Sequence, residues 1–254
     1  MSVQSSSPAA RRLLVLAGTT EATDLTRAAL AAGHHVTASF AGRTSQPSSP
    51  ATDIRIGGFG GADGLTAYLR DNPFDAVVLA THPFAARMPY NAAAAAEATG
   101  TPLVRILRPQ WVPEPGDRWT MVPDLAAAAW ALHESHARRV LLTTGRQELA
   151  PFARLDRVHF VVRSIEEPDV GAFADADVIL DRGPFDAEAE AELLRSRRID
   201  TIVTKNSGGT ATAAKLEAAY NENVRVIMVE RPDSPAVTTV ATATAAMKWL
   251  ATLP

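Results

Sequence analysis

The chain predicts an α/β protein of two Rossmann-like halves, each with a doubly wound, mainly parallel sheet, and a cleft between them. Three observations carry that expectation. Short β-branched or leucine-rich runs alternate with alanine-rich helical stretches along the whole length. One segment, RPQWVPEPGDRWT at 108 to 120, carries three prolines and a glycine and breaks the periodicity. Beyond it the alternation restarts, so the two halves share one plan.

The first strand is LLVLAG (13 to 18), followed by the alanine-rich helix EATDLTRAALAAG and the strand HVTASFA (35 to 41). DIRIGG (53 to 58) supplies a third strand and ADGLTAYLRDN a second helix. DAVVLATH (75 to 82) has the continuous apolar run of a buried strand, and the helix ARMPYNAAAAAEATG leads to the strand PLVRIL (102 to 107). After the proline-rich segment come the helix DLAAAAWALHESH and the strands RRVLLTTG, VHFVVRSI and DVILDRG. The helix AEAEAELLRSRR, the strand DTIVTKN, the helix GTATAAKLEAAYNEN and the strand VRVIMVE (224 to 230) complete the second half. A last helix is expected over about 236 to 252, packed on either domain. The division is therefore a disordered tail over 1 to 12, a first Rossmann-like domain over 13 to 110 and a second α/β domain over 111 to 254.

A formal net charge of -3, with no basic arm or block, argues against nucleic acid and membrane surfaces as partners. Any anion site must be local. The absence of cysteine excludes disulfides and thiolate chemistry and suits a cytoplasmic protein. The opening MSVQSSSPAA has no apolar core, and no run approaches the roughly 18 apolar residues of a membrane helix.

Ligands of such sheets bind outside the carboxyl ends of the strands, so those ends hold the candidates. AGTTEA (17 to 22) places Gly18, Thr19, Thr20 and Glu21 at a helix N-terminus, either as caps or as neighbours of a pyrophosphate. The second strand ends in SFAGRTS, with Ser39, Arg43 and Thr44 and no acid. That composition favours NADP over NAD, because an acid there takes the ribose hydroxyl and an arginine the 2′-phosphate. The first domain is accordingly read as the NADP-binding one.

Thr81, His82 and Pro83 follow the buried fourth strand, and His82 is a candidate acid. In the second half, LLTTGRQE presents Thr144 and Gly145 in a strand-to-helix loop, and LDRGPFD presents Asp186 as a helix cap. TKNSGGT combines Lys205, Asn206, Ser207, Gly208 and Gly209 at one junction, where backbone N–H groups and an ammonium group suit an anion. Two of the chain's three lysines, Lys205 and Lys215, fall in TKNSGGTATAAKL (204 to 216), in a chain with 22 arginines. His133 and His136 lack a third ligand, so no metal is expected. The P-loop, G-x-S-x-G, H-E-x-x-H and tyrosine–lysine dehydrogenase patterns are all missing.

The ordered set AGTTEA, THPFA, RGPF and TKNSGGTATAAKLEAA resembles the precorrin-6A reductase family of cobalamin biosynthesis. The resemblance covers nearly all of the chain after its first ten residues, with Ala17 standing where many relatives have glycine. It implies an oxidoreductase that uses NADPH to saturate one carbon–carbon double bond of a polycarboxylate tetrapyrrole, with neighbouring pathway enzymes as candidate partners. Under it, Gly18, Thr19, Thr20 and Glu21 border pyrophosphate and ribose, and Ser39, Arg43 and Thr44 hold the 2′-phosphate. Thr81, His82 and Pro83 shape the nicotinamide side, and Thr144 and Gly145 close the cleft. Lys205, Asn206, Ser207, Gly208 and Gly209 meet substrate carboxylates or cofactor phosphates. His82, Tyr90, Lys205 or bound water delivers the proton, with water favoured because the conjugated macrocycle shares the developing charge. The rival readings are a nucleotide-sugar-dependent transferase with two Rossmann-like halves and a non-enzymatic NADP-sensing module.

Overall fold

The structure, a computed structural model, describes residues 10–42 and 49–254. In chain order the elements begin with β1 (Arg12–Leu16), α1 (Thr20–Ala31), β2 (His35–Phe40), β3 (Asp53–Ile56), α2 (Gly61–Asp71), β4 (Ala76–Leu79), α3 (Met88–Thr99) and β5 (Leu103–Ile106). They continue with β6 (Trp119–Val122), α4 (Leu125–Glu134), β7 (Arg139–Leu142), β8 (His159–Ser164), β9 (Ala176–Leu180), α5 (Ala187–Ser196) and β10 (Thr201–Lys205). The last are α6 (Ala214–Asn221), β11 (Arg225–Val229), β12 (Thr239–Val240) and α7 (Ala243–Leu250). Residues up to 108 together with 233–254 form one compact unit, and 109–232 form the second.

Each unit holds a six-stranded, all-parallel sheet, and the two strand orders differ only in the outermost strand. The first runs β12-β5-β4-β1-β2-β3 and the second β6-β11-β10-β7-β8-β9. In the first unit the sixth place is filled by the chain's last strand, whereas in the second it is filled by the strand that precedes all the others.

The packing follows from the sequence of β1. Its leucines and valine alternate between the two faces of the sheet. Leu13 and Val15 join Leu25 of α1, Val36, Val78, Val104 and the α7 residues Ala246 and Leu250. Leu14 and Leu16 join Leu65 and Leu69 of α2 with Val77 and Leu79. In the second unit Leu141, Val161, Ile202 and Val226 pack beneath Leu194 of α5 and Leu216 of α6. Oxygen-bearing side chains open the helices: Thr19 caps α1, Asp124 α4, Asp186 α5 and Thr242 α7.

The same aspartate device anchors both sheets at their amino ends. Asp75, just before β4, accepts the Arg12 N–H at 2.6 Å. Asp200, just before β10, accepts the N–H groups of Arg138 and Arg139 at 2.8 and 2.9 Å. The carboxylates thereby tie β1 to β4 and β7 to β10, the strand pairs on either side of each change in winding direction.

Several expectations are corrected. The second unit ends at Pro232, not 254, because β12 pairs with β5 and α7 packs on the β1 core. Residues 236–242 are not helical; Thr239 and Val240 are β-branched and form a strand, and Thr242 caps the shorter α7. The proline-rich segment ends earlier than expected, since Trp119 and Thr120 already pair with β11. No helix follows β7, whose connection to β8 is made of turns. α4 stops at Glu134, so His136 lies beyond it with φ of 53°. Arg11, placed in the tail, bonds the carbonyls of Leu253 and Pro254 through its guanidinium, and Arg12 starts β1. Among the described residues no helix is long and apolar enough to cross a membrane.

Two buried polar contacts generate predictions. Arg163 of β8 forms a two-pronged ion pair with Glu190 of α5, the side chains being only 5% and 4% exposed. Glu190→Ala leaves a buried guanidinium unpaired and is expected to destabilise the second unit by about 3–5 kcal/mol, read as a drop in urea midpoint. His34 accepts the Arg11 N–H on Nδ1 at 3.2 Å, which requires the neutral ring. Burial, and then the neighbouring Arg11 charge, lower its pKa below the ordinary 6.5. Above that pH both folded and unfolded states hold it neutral; as pH falls through 6.5 the unfolded state takes the proton first, so stability falls. The urea midpoint should decline across this window, and less steeply in His34→Gln, whose amide oxygen accepts the same N–H without titrating.

Candidate functional site

In the first unit the change of winding direction lies between β1 and β4, and their exits meet at the carboxyl edge. Gly18 has φ of +151°, and a β-carbon there would touch the backbone of Thr81 and His82 at 3.9 and 3.8 Å. Glycine is thus required by backbone angle rather than by lack of space. The Thr19 hydroxyl donates to the Ala80 carbonyl at 3.0 Å and accepts the Ala22 N–H at 3.3 Å. It is a cap and a tie to β4, while the other first-turn N–H groups of α1, at Thr20 and Glu21, have no partner within the helix.

Glu21 does not present a lone negative charge to this edge. Both its oxygens accept from Arg108 Nη1, at 3.0 and 3.2 Å, an arginine just past β5 that sequence reasoning did not single out. On the β4 side Pro83 is buried. The Thr81 Oγ1 is buried with no hydrogen-bond partner among the described residues. His82 Nδ1 accepts the Phe84 N–H at 3.2 Å, which places the proton of the neutral ring on Nε2.

Ser39, at the end of β2, is buried. Arg43 and Thr44 lie outside the described residues. The carboxyl edge of the first sheet thus gathers Gly18, Thr19, Thr20, Glu21, Ser39, Thr81, His82 and Pro83. A positive-φ glycine, first-turn amides with no partner inside the helix and a buried hydroxyl with none among the described residues, all at one strand exit, fit a dinucleotide.

The second unit gathers the other candidates at its own change of winding direction, between β7 and β10. Thr143 ties the two strands by bonding the Val203 carbonyl through both N–H and hydroxyl. Thr144 is 2% exposed, with its hydroxyl unpartnered among the described residues. Gly145 follows with φ of +100° but opens no helix. Lys205 ends β10 and is ion-paired to Glu148, so its charge is partly neutralised.

The rest of TKNSGG is largely architectural, which corrects the expectation of a helix-terminal anion cradle. α6 begins only at Ala214, and the N–H groups of Asn206 and Ser207 are taken by the carbonyls of Val229 and Lys205. The Asn206 side chain is fully buried and grips the Trp111 backbone, accepting its N–H at 2.8 Å and donating to its carbonyl at 2.9 Å. Gly208, with φ of +65°, lies so close to Pro109 that a β-carbon would fall 2.0 Å from its carbonyl oxygen. Arg231 donates to the carbonyls of Asn206, Ser207 and Pro109. Lys215 is buried, donates to the Thr212 carbonyl and sits 4.9 Å over the Trp111 ring. No sequence signal short of knowing that residues 109–111 run beside the β10 exit would have revealed this role.

The profile of the family described as Precorrin-6x reductase CbiJ/CobK matches residues 12–251. The chain is 47% identical over 245 residues to a precorrin-6A reductase of Rhodococcus erythropolis, covering 95% of this chain and 98% of that one. It is also 47% identical over 247 residues to a precorrin-6A reductase of a Sinorhizobium species, covering 94% of each. A solved structure described as CobK precorrin-6A reductase superposes with a TM-score of 0.88 at 44% identity, covering 94% of this chain and 96% of that one. These matches run through both units, and neither the transferase nor the NADP-sensor reading is favoured. The chain belongs to the precorrin-6x reductase CbiJ/CobK family of oxidoreductases.

Proposed function

We propose that this chain reduces one carbon–carbon double bond of precorrin-6A with NADPH, giving the dihydro macrocycle on the route to cobalamin in the cytoplasm. The observation that carries the cofactor half is the meeting of the β1 and β4 exits, where Gly18, the α1 amides and the unpartnered Thr81 hydroxyl converge. Bound NADPH supplies the hydride. The chain supplies position: the Gly18, Thr20 and Glu21 backbone borders the pyrophosphate, and Arg108 offsets the Glu21 charge that would otherwise repel it. Ser39, with Arg43 and Thr44, holds the 2′-phosphate, and Thr81, His82 and Pro83 line the nicotinamide side.

In the second unit Lys205, Ser207 and the Thr144 hydroxyl meet acetate and propionate groups of the macrocycle. The proton comes from water. His82 Nδ1 is taken by the Phe84 N–H, and Lys205 is engaged by Glu148. Rate enhancement then rests on orientation, since the chemistry of hydride transfer is the cofactor's own.

Titration calorimetry with NADPH and NADH tests the cofactor half. NADPH is expected to bind at least about tenfold more tightly, the advantage being lost in Arg43→Ala; equal affinities for the wild type would defeat it. A side chain acting as general acid contributes about a hundredfold or more to turnover. His82→Ala and Lys205→Ala are each expected to lose less than that at saturating substrate, and a larger loss in either would identify that residue as the donor.

A further inference from the structure

β2 and β3 pair in parallel with Ser39 opposite Arg55, so both residues stand at the carboxyl edge, next to the strand that bears Gly18. The Arg55 guanidinium is held from several sides. Nη1 donates to the Gly57 carbonyl at 2.6 Å and reaches Ser39 Oγ at 3.4 Å, and Nη2 donates to the Gly58 carbonyl at 2.8 Å. Its central carbon lies 3.7 Å from the Phe59 ring centroid, within stacking distance.

These contacts engage Nη1 with two neutral oxygens and Nη2 with one. A guanidinium has five N–H groups, so the Nε edge, with the second N–H of Nη2, forms a two-pronged donor outside those bonds. Among the described residues no carboxylate pairs with Arg55, in contrast to Arg27 with Asp24 and Arg108 with Glu21. A half-buried, locked and uncompensated cation has already lost its rotamer freedom on folding, so gripping an anion costs it little further order. The second-strand end is also where the adenosine ribose lies in a dinucleotide site of this topology.

We propose that Arg55 is a specificity-determining residue, its guanidinium taking the 2′-phosphate of the cofactor bidentately with Ser39 Oγ beside it. This rests on the NADPH reading above and adds a cation that the sequence pattern, which pointed only to the second-strand loop, did not reveal. Lysine in the same place would offer a point charge without the fork.

The test is calorimetry of the full chain with 2′,5′-ADP and 5′-AMP, and with NADPH and NADH, on the wild type, Arg55→Ala and Arg55→Lys. Arg55→Ala is expected to weaken 2′,5′-ADP and NADPH by about ten- to a hundredfold and to leave 5′-AMP and NADH unchanged, with Arg55→Lys between it and the wild type. Retained affinity for 5′-AMP and NADH also shows that the variant is folded. An equal loss on all four ligands in both variants overturns the inference, because it assigns Arg55 to adenine stacking or to the fold. A wild type that prefers the 2′-phosphate while both variants match it overturns the inference alone. A wild type with no preference defeats the NADPH reading and this inference together.

Discussion

The rest of the molecule depends on the burial of a parallel central strand from both faces. Leu13 to Leu16 in β1 and Val140 to Leu142 in β7 are at most 1% exposed. A strand with apolar side chains on both sides needs helices or other cover above and below, and parallel pairing needs a crossover for each step. Winding outward in one direction from β1 and in the other through β4 sends the chain from two adjacent exits to opposite faces of the sheet, with α1 on one and α3 on the other. β7 and β10 repeat the arrangement, and the aspartates at the opposite ends of both sheets hold it in register. A crevice at the strand exits is therefore a by-product of burying leucine and valine.

What occupies those exits differs between the units. In the first, Thr19 is engaged by Ala80 and Ala22, and Glu21 by Arg108, while the buried Thr81 hydroxyl has no partner among the described residues. In the second, Asn206 and Gly208 secure the segment that enters the unit, and Arg231 secures the segment that leaves it. A conspicuous motif thus divides its labour: Lys205 and Ser207 remain candidates for substrate, while their neighbours hold two chain segments to one strand exit. The concentration of lysines has a correspondingly mixed origin, since Lys215 serves the packing of Trp111 and Lys205 faces Glu148.

The long apolar strands and the helix caps were legible because their signals are local. LLVL, AVVL and TIVTK carry the burial pattern in their own composition, and Thr19 and Asp186 cap helices where they were expected to. β6 and β12 were not legible. They are edge strands of four and two residues, partly exposed, and their pairing partners β11 and β5 are distant in sequence. Arg55 was passed over for a related reason: its place beside Ser39 comes from strand register, and its fixed orientation from Gly57, Gly58 and Phe59.

By itself the sequence determined the two-sheet α/β plan and the family that its ordered motifs resemble, and it pointed to the strand exits, because alternation, apolar runs and turn residues act over a few neighbouring positions. Only the tertiary structure decided which polar groups at those exits are already engaged and which are left without a partner among the described residues. It alone returned the chain's last strand and helix to the first sheet. Both outcomes depend on pairings between residues far apart in the chain, such as Glu21 with Arg108, Asn206 with Trp111 and Thr239 with Arg105, and no local pattern encodes such a pairing.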